Sequence, residues 1–111
     1  MITHIVLLQP RPDLTEDQRL AALDTLARAA AEVPEIRSVR FGRRVKHGLP
    51  GYESRMSQDY EFALIVEVDD VPALTRYLKA PAHRALGDFF SRSTTAALAY
   101  DYNMTGVVRD I

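Results

Sequence analysis

The chain has 111 residues, 47% of them hydrophobic and 26% charged, with a net charge of −1. This is the size and composition of one globular domain, and its near-neutral charge provides no pull toward nucleic acid or an anionic membrane. Cysteine is absent, which excludes disulfides, thiolate catalysis and cysteine-bound zinc.

Ile2–Gln9 alternates Ile2, His4, Val6 and Leu8 with Thr3, Ile5, Leu7 and Gln9. Both sets are largely apolar, which predicts a strand buried on both sides. Pro10 and Pro12 end it. The apolar run Ile5–Leu8 is too short for a signal-peptide core or a membrane span, so a cytoplasmic protein without membrane contact is expected.

Thr15-Glu16-Asp17-Gln18 has the form of a capping box. It opens a helix to about Glu32, with Leu20, Leu23, Ala27 and Ala30 as its apolar stripe. Pro34 forces the stop. Ile36–Lys46 is a second strand, with Val39, Phe41 and Val45 on one face and Gly42 as a bulge position. Arg37, Arg40, Arg43, Arg44 and Lys46 crowd it on both faces. They read as a solvated strand end, with an anion site as the weaker alternative. Phe41 is the one aromatic among them, which argues against nucleic-acid binding.

His47–Asp59 is a turn-rich connection of the length that often carries function. Tyr60–Val68 is the clearest strand, with Tyr60, Phe62, Leu64, Val66 and Val68 on one face and Ala63 and Ile65 on the other. Asp70 caps a helix bearing Leu74, Tyr77 and Leu78. Pro81 opens a second helical stretch at its favoured position. Thr94–Tyr102 is the last strand, and Met104–Ile111 carries no strong signal.

The order strand, helix, strand, strand, helix, strand predicts an α+β, ferredoxin-like βαββαβ sandwich, a single domain over 1–111. Helices cover one face of such a sheet, yet several strands are apolar on both. The expected partner is a second copy, giving a homodimer with the two sheets facing each other.

Candidate chemistry centres on Tyr77 and His83, six residues apart across the break at Pro81. His83 lies near the positive end of its helix, which favours a neutral imidazole available as a base. Leu86 and Phe90 share its face. Tyr77 shares the buried face of its helix, and its hydroxyl needs a partner, which His83 offers. The competing reading makes both residues structural. His4, among Val6 and Leu8, reads as a satisfied core polar group. Asp101, pointing inward beside Ala97 and Ala99, either orients an imidazole or caps a backbone group. His4, His47 and His83 lack metal-ligand spacing, so no metal is expected, and with no P-loop and no GxGxxG no nucleotide cofactor is expected either.

These residues together resemble the stress-responsive A/B barrel, or Dabb, family. The resemblance rests on His4 in the first strand, Val33-Pro34 before Ile36, and Val39-Arg40-Phe41-Gly42. It continues through Tyr60–Val68, Tyr77-Leu78 followed by Pro81-Ala82-His83, and Tyr100-Asp101-Tyr102. It spans about residues 2 to 102 and implies a dimeric α/β barrel of ferredoxin-like protomers. The best understood member, a plant olivetolic acid cyclase, closes a linear polyketide by aldol condensation without metal or organic cofactor and retains the carboxylate. By that resemblance His83 is the base, Tyr77 assists it, and His4 positions the ligand. The implied ligand-binding set is His4, Val6, Leu8, Leu64, Leu86 and Asp101, around a small apolar or polyketide-like ligand. Ala80 stands where that enzyme has a further histidine, about Leu26 where it has a tyrosine, and Ala97 and Ala99 where it has bulky residues. The base-and-phenol pair is kept and the pocket walls differ, which implies a different ligand. Two other functions fit the same chain: a non-catalytic small-molecule-binding or stress-associated dimer, and, by fold analogy alone, a cofactor-independent monooxygenase.

Overall fold

The computed structural model describes residues 1–109, so the end of the Met104–Ile111 tail lies outside the described residues. The elements are β1 (Ile2–Pro10), α1 (Glu16–Ala31), β2 (Ile36–Arg43), β3 (Phe62–Val68), α2 (Val71–Lys79), α3 (Pro81–Ser93) and β4 (Thr94–Asn103). They form one four-stranded sheet in the order β2-β3-β1-β4, every neighbouring pair antiparallel. This is the expected ferredoxin-like sandwich, with its second helical segment split in two at Pro81.

The pleat sorts the sheet into two faces. The inner face carries Ile2, His4, Val6 and Leu8 of β1 and Phe62, Leu64, Val66 and Val68 of β3, all buried. Leu23, Leu26, Ala27 and Ala30 of α1 and Ala73, Leu74 and Tyr77 of α2 complete the core. The outer face of β1 is less covered than a strand buried on both sides would be. Ile5, Leu7 and Gln9 are only half-buried in the single protomer, because no helix lies over them.

Local chemistry explains the boundaries. Thr15 accepts from the Gln18 amide and the Gln18 side chain accepts from the Thr15 amide, so the capping box forms. The buried stripe of α1 starts one turn later than expected, at Leu23. Leu20 is exposed, and Leu26 takes its place in the core. β2 ends at Arg43 and not at Lys46, because its partner β3 begins opposite, at Phe62. One further bond, from the Arg44 amide to the Glu61 carbonyl, closes the ladder at 2.7 Å. β3 likewise starts at Phe62 and not at Tyr60. The register shift in β2 falls between Ile36 and Ser38, while Gly42 pairs regularly with Ala63. The extra residue is thus Arg37, whose guanidinium reaches both carboxylate oxygens of Asp69 at 2.9 and 2.7 Å.

Between β2 and β3, Gly48 and Gly51 take positive φ values of 75° and 83°, where a side chain would be strained. Asp59 pins this segment by binding Arg44 and Lys46.

Candidate functional site

The site begins with strand register. β4 pairs with β1 so that Asp101 lies directly opposite His4, both on the inner face. Opposed residues of an antiparallel pair hold their Cβ atoms about 4.5–5.5 Å apart, within reach of short polar side chains. Here the His4 Nδ1–H donates to Asp101 Oδ1 at 2.6 Å. An ionised carboxylate can only accept, so a neutral His4 keeps its proton on Nδ1. The Nε2 lone pair is then the one left to address a ligand. The imidazole is buried, whereas the Asp101 side chain is 35% exposed. Asp101 therefore orients an imidazole, and that imidazole is His4.

The second half of the site comes from the helical segment. Asp70 accepts from the Ala73 amide and starts α2, a cap worth about 1 kcal/mol. Leu74 and Tyr77, three residues apart, face the core together. Ala80 is extended, with φ −64° and ψ 144°, as a residue before proline prefers. Pro81 then opens α3, placing His83 at its third position.

The break brings His83 beside Tyr77, with ring centroids 4.9 Å apart at an interplanar angle of 71°. His4 lies 5.8 Å from Tyr77 and 6.3 Å from His83, again edge to face. The three rings anticipated from sequence do converge. The expected hydrogen bond between Tyr77 and His83 is not formed; the two rings meet edge to face instead. The Tyr77 hydroxyl makes no hydrogen bond to protein among the described residues. No buried side-chain oxygen or nitrogen among the described residues lacks a partner, so this hydroxyl keeps contact with the cavity that Tyr77 lines.

The electrostatics assign proton states. Burial, and then the negative charge of Asp101, push the Tyr77 phenol up to about 12. It remains a protonated donor across the physiological range. Burial, and then the charge on His4, pull His83 below the ordinary histidine value of 6.5, partly offset by the Leu78 backbone and Asp101. At neutral pH His83 is thus an unprotonated base. In the unfolded chain it titrates at its ordinary value and binds more protons below that pH. The stability it contributes is full above pH 6.5 and lost as pH falls through its lowered value. The His83 ring protons should accordingly titrate in the folded protein with a midpoint below 6.5 by NMR, and a midpoint at or above that value contradicts the assignment.

A cavity of about 380 Å³ joins these groups. His4, Val6, Leu64, Leu86 and Asp101, of the ligand-binding set implied by the sequence, line it together with Tyr77 and His83. Leu8 does not. It pairs with Phe62 and Ala97, is buried in the core and is not part of the lining. Ala97 and Ala99 form part of the wall. Leu78 and Gly87 line it too and were not anticipated in that role. The signal for Gly87 was its position one turn after His83, and a Cβ there would meet nothing within 4 Å.

A larger hollow of about 550 Å³ lies elsewhere, reached by Leu7, Ala63 and Ile65 of the outer face. Its arginines Arg40, Arg43 and Arg44 already face Glu67, Glu16 and Asp59. It gathers no histidine, so the smaller cavity is the chemically equipped one. No group of three or more His, Asp or Glu among the described residues is placed to hold a metal ion.

A family model described as Stress responsive A/B Barrel Domain matches residues 2–104. No curated protein matches the chain. Among solved structures, the chain is similar to a Dabb family protein with a ferredoxin-like fold from Mesorhizobium loti, at 21% identity and TM-score 0.76, covering 95% of this chain and 97% of that one. It is similar to a hydroxynitrile lyase from Passiflora edulis at 12% identity and TM-score 0.81, covering 97% and 96%. A dimeric ferredoxin-like protein of unknown function from Thermobifida fusca matches at 24% identity and TM-score 0.71, covering 93% and 90%. At these identities the likenesses establish the fold.

Proposed function

The chain belongs to the Stress responsive A/B Barrel Domain (Dabb) family, and from that premise we propose that its inner cavity transfers a proton next to the carbonyl group of a small, largely apolar ligand. The observation that carries this reading is the convergence of a neutral imidazole, a free phenol and a carboxylate-held imidazole on one cavity. His83 takes the proton as the C–H bond breaks. The C–H bonding pair becomes the carbon–carbon double bond as the carbonyl π pair moves onto oxygen, and the Tyr77 hydroxyl donates to the enolate that forms. His4, its other nitrogen held by Asp101, positions the ligand through Nε2.

Where the ligand bears a second carbonyl, the enolate carbon can attack it and close a ring, which is the polyketide-cyclase-like form of the proposal. The Passiflora neighbour, named a hydroxynitrile lyase, supports catalysis on this scaffold. A packed interior would have favoured a purely structural Tyr77–His83 pair, and the cavity of about 380 Å³ argues for the catalytic reading. The test is exchange of ketone α-protons into deuterium oxide. The reading predicts acceleration by the protein and none after His83→Ala.

The active form is proposed to be a homodimer. Ile5, Leu7, Ala63, Ile65 and Leu98 form an apolar outer sheet face with exposed Tyr100 at its edge, and no helix covers it. A relative of the same fold is described as dimeric. Sedimentation should give twice the chain mass of 12.5 kDa, and Ile65→Asp should return the protein to a monomer. A wild-type monomer at micromolar concentration contradicts the dimer. No helix among the described residues is long and apolar enough to cross a membrane. The cysteine-free composition fits a reducing compartment, and the cytoplasm is the proposed location.

A further inference from the structure

We propose that the inner cavity selects uncharged carbonyl compounds and rejects carboxylates, and that Asp101 sets this preference. The inference rests on the cavity's being the ligand site.

The charge inventory of the wall carries it. Among the described residues no lysine or arginine lines the cavity, and Asp101 is its one formally charged residue. The basic cluster of β2 opens onto the other hollow and is engaged with carboxylates there. A protonated His4 would supply no free positive charge, because the Asp101 carboxylate sits 2.6 Å from it. His83 is drawn toward its neutral form. An entering carboxylate would thus lose its water, meet a like charge and find no cation.

The polar inventory fits a neutral guest. The Tyr77 hydroxyl is a donor without a protein partner among the described residues, His83 supplies the basic nitrogen, and a His4 protonated on Nδ1 adds an acceptor at Nε2. A donor and a basic nitrogen suit a single ketone or aldehyde oxygen and an adjacent C–H. The remaining lining, including Val6, Leu64, Leu86 and Phe90, is apolar and suits a hydrocarbon or aryl body. The preference distinguishes this chain from a cyclase whose product keeps its carboxylate.

Phenylacetone, phenylacetamide and phenylacetate share a shape and differ in charge. Titrating each into the full-length protein at pH 7.5, with the amide signals of His4, Tyr77, His83 and Leu86 followed by NMR, tests the proposal. The two neutral compounds should bind at least about tenfold more tightly than phenylacetate, as like-charge juxtaposition demands. Asp101→Asn should narrow that gap chiefly by strengthening phenylacetate binding. Phenylacetate binding as tightly as phenylacetamide to the wild-type protein would overturn the selectivity while leaving the ligand site intact. A gap unchanged in a folded Asp101→Asn protein would overturn the role of Asp101. Binding of none of the three at millimolar concentration would overturn the inference together with the cavity as a ligand site.

Discussion

His83→Ala should lower the rate of ketone α-proton exchange by about 10²–10⁴-fold, the usual contribution of a positioned base. The loss is in the chemical step and not in folding. His83 is only half-buried, and it has no carboxylate partner that its removal would strand. Tyr77→Phe should lower the rate by about 10²-fold, since it deletes one donor to the developing enolate oxygen and keeps the ring that fills the core. Because that hydroxyl has no protein partner, its removal leaves no buried group unsatisfied. Both variants should keep the wild-type circular dichroism spectrum. Full exchange rates in both would contradict the assigned roles.

Phe62→Ala lowers the unfolding free energy by about 3–5 kcal/mol, the range for emptying a well-packed aromatic site. Phe62 is 1% exposed on β3, an interior strand paired on both sides. It also lies under the Arg43 guanidinium, 5.2 Å from the ring centre. A domain of this size has about 5–15 kcal/mol in total, so the variant should be close to unfolding. Phe41 is the control. It sits on the same sheet face in the neighbouring strand but is 50% exposed. Phe41→Ala should cost much less in urea denaturation at matched protein concentration. Equal losses would show that the inner face of the sheet is not the core described here.

Much of this arrangement could be read from local patterns. The alternation in Ile2–Gln9 and Tyr60–Val68 located two strands and sorted their side chains into two faces, without telling which face the helices cover. The Thr15–Gln18 box and the Asp70 cap located two helix starts. The Pro81 break placed Tyr77 and His83 near each other because both flank it in the chain. What stayed hidden depends on contacts distant in sequence. The choice of His4 as the partner of Asp101 is a matter of β1–β4 register across 97 residues. The early end of β2 is decided by where β3 begins. Leu8 shares its face with His4 and Val6, so alternation alone could not show that it stays out of the lining. The edge-on meeting of Tyr77 with His83, in place of a hydrogen bond, depends on how α3 folds back after Ala80.

The central claim is that the cavity holds a working base next to a bound carbonyl. Deuterium incorporation into phenylacetone, followed by proton NMR in buffered deuterium oxide, tests it most directly. Exchange should be faster with the wild-type protein than in buffer alone and should return to the buffer rate with His83→Ala. Phenylacetone that binds in the cavity yet exchanges no faster than in buffer would contradict it.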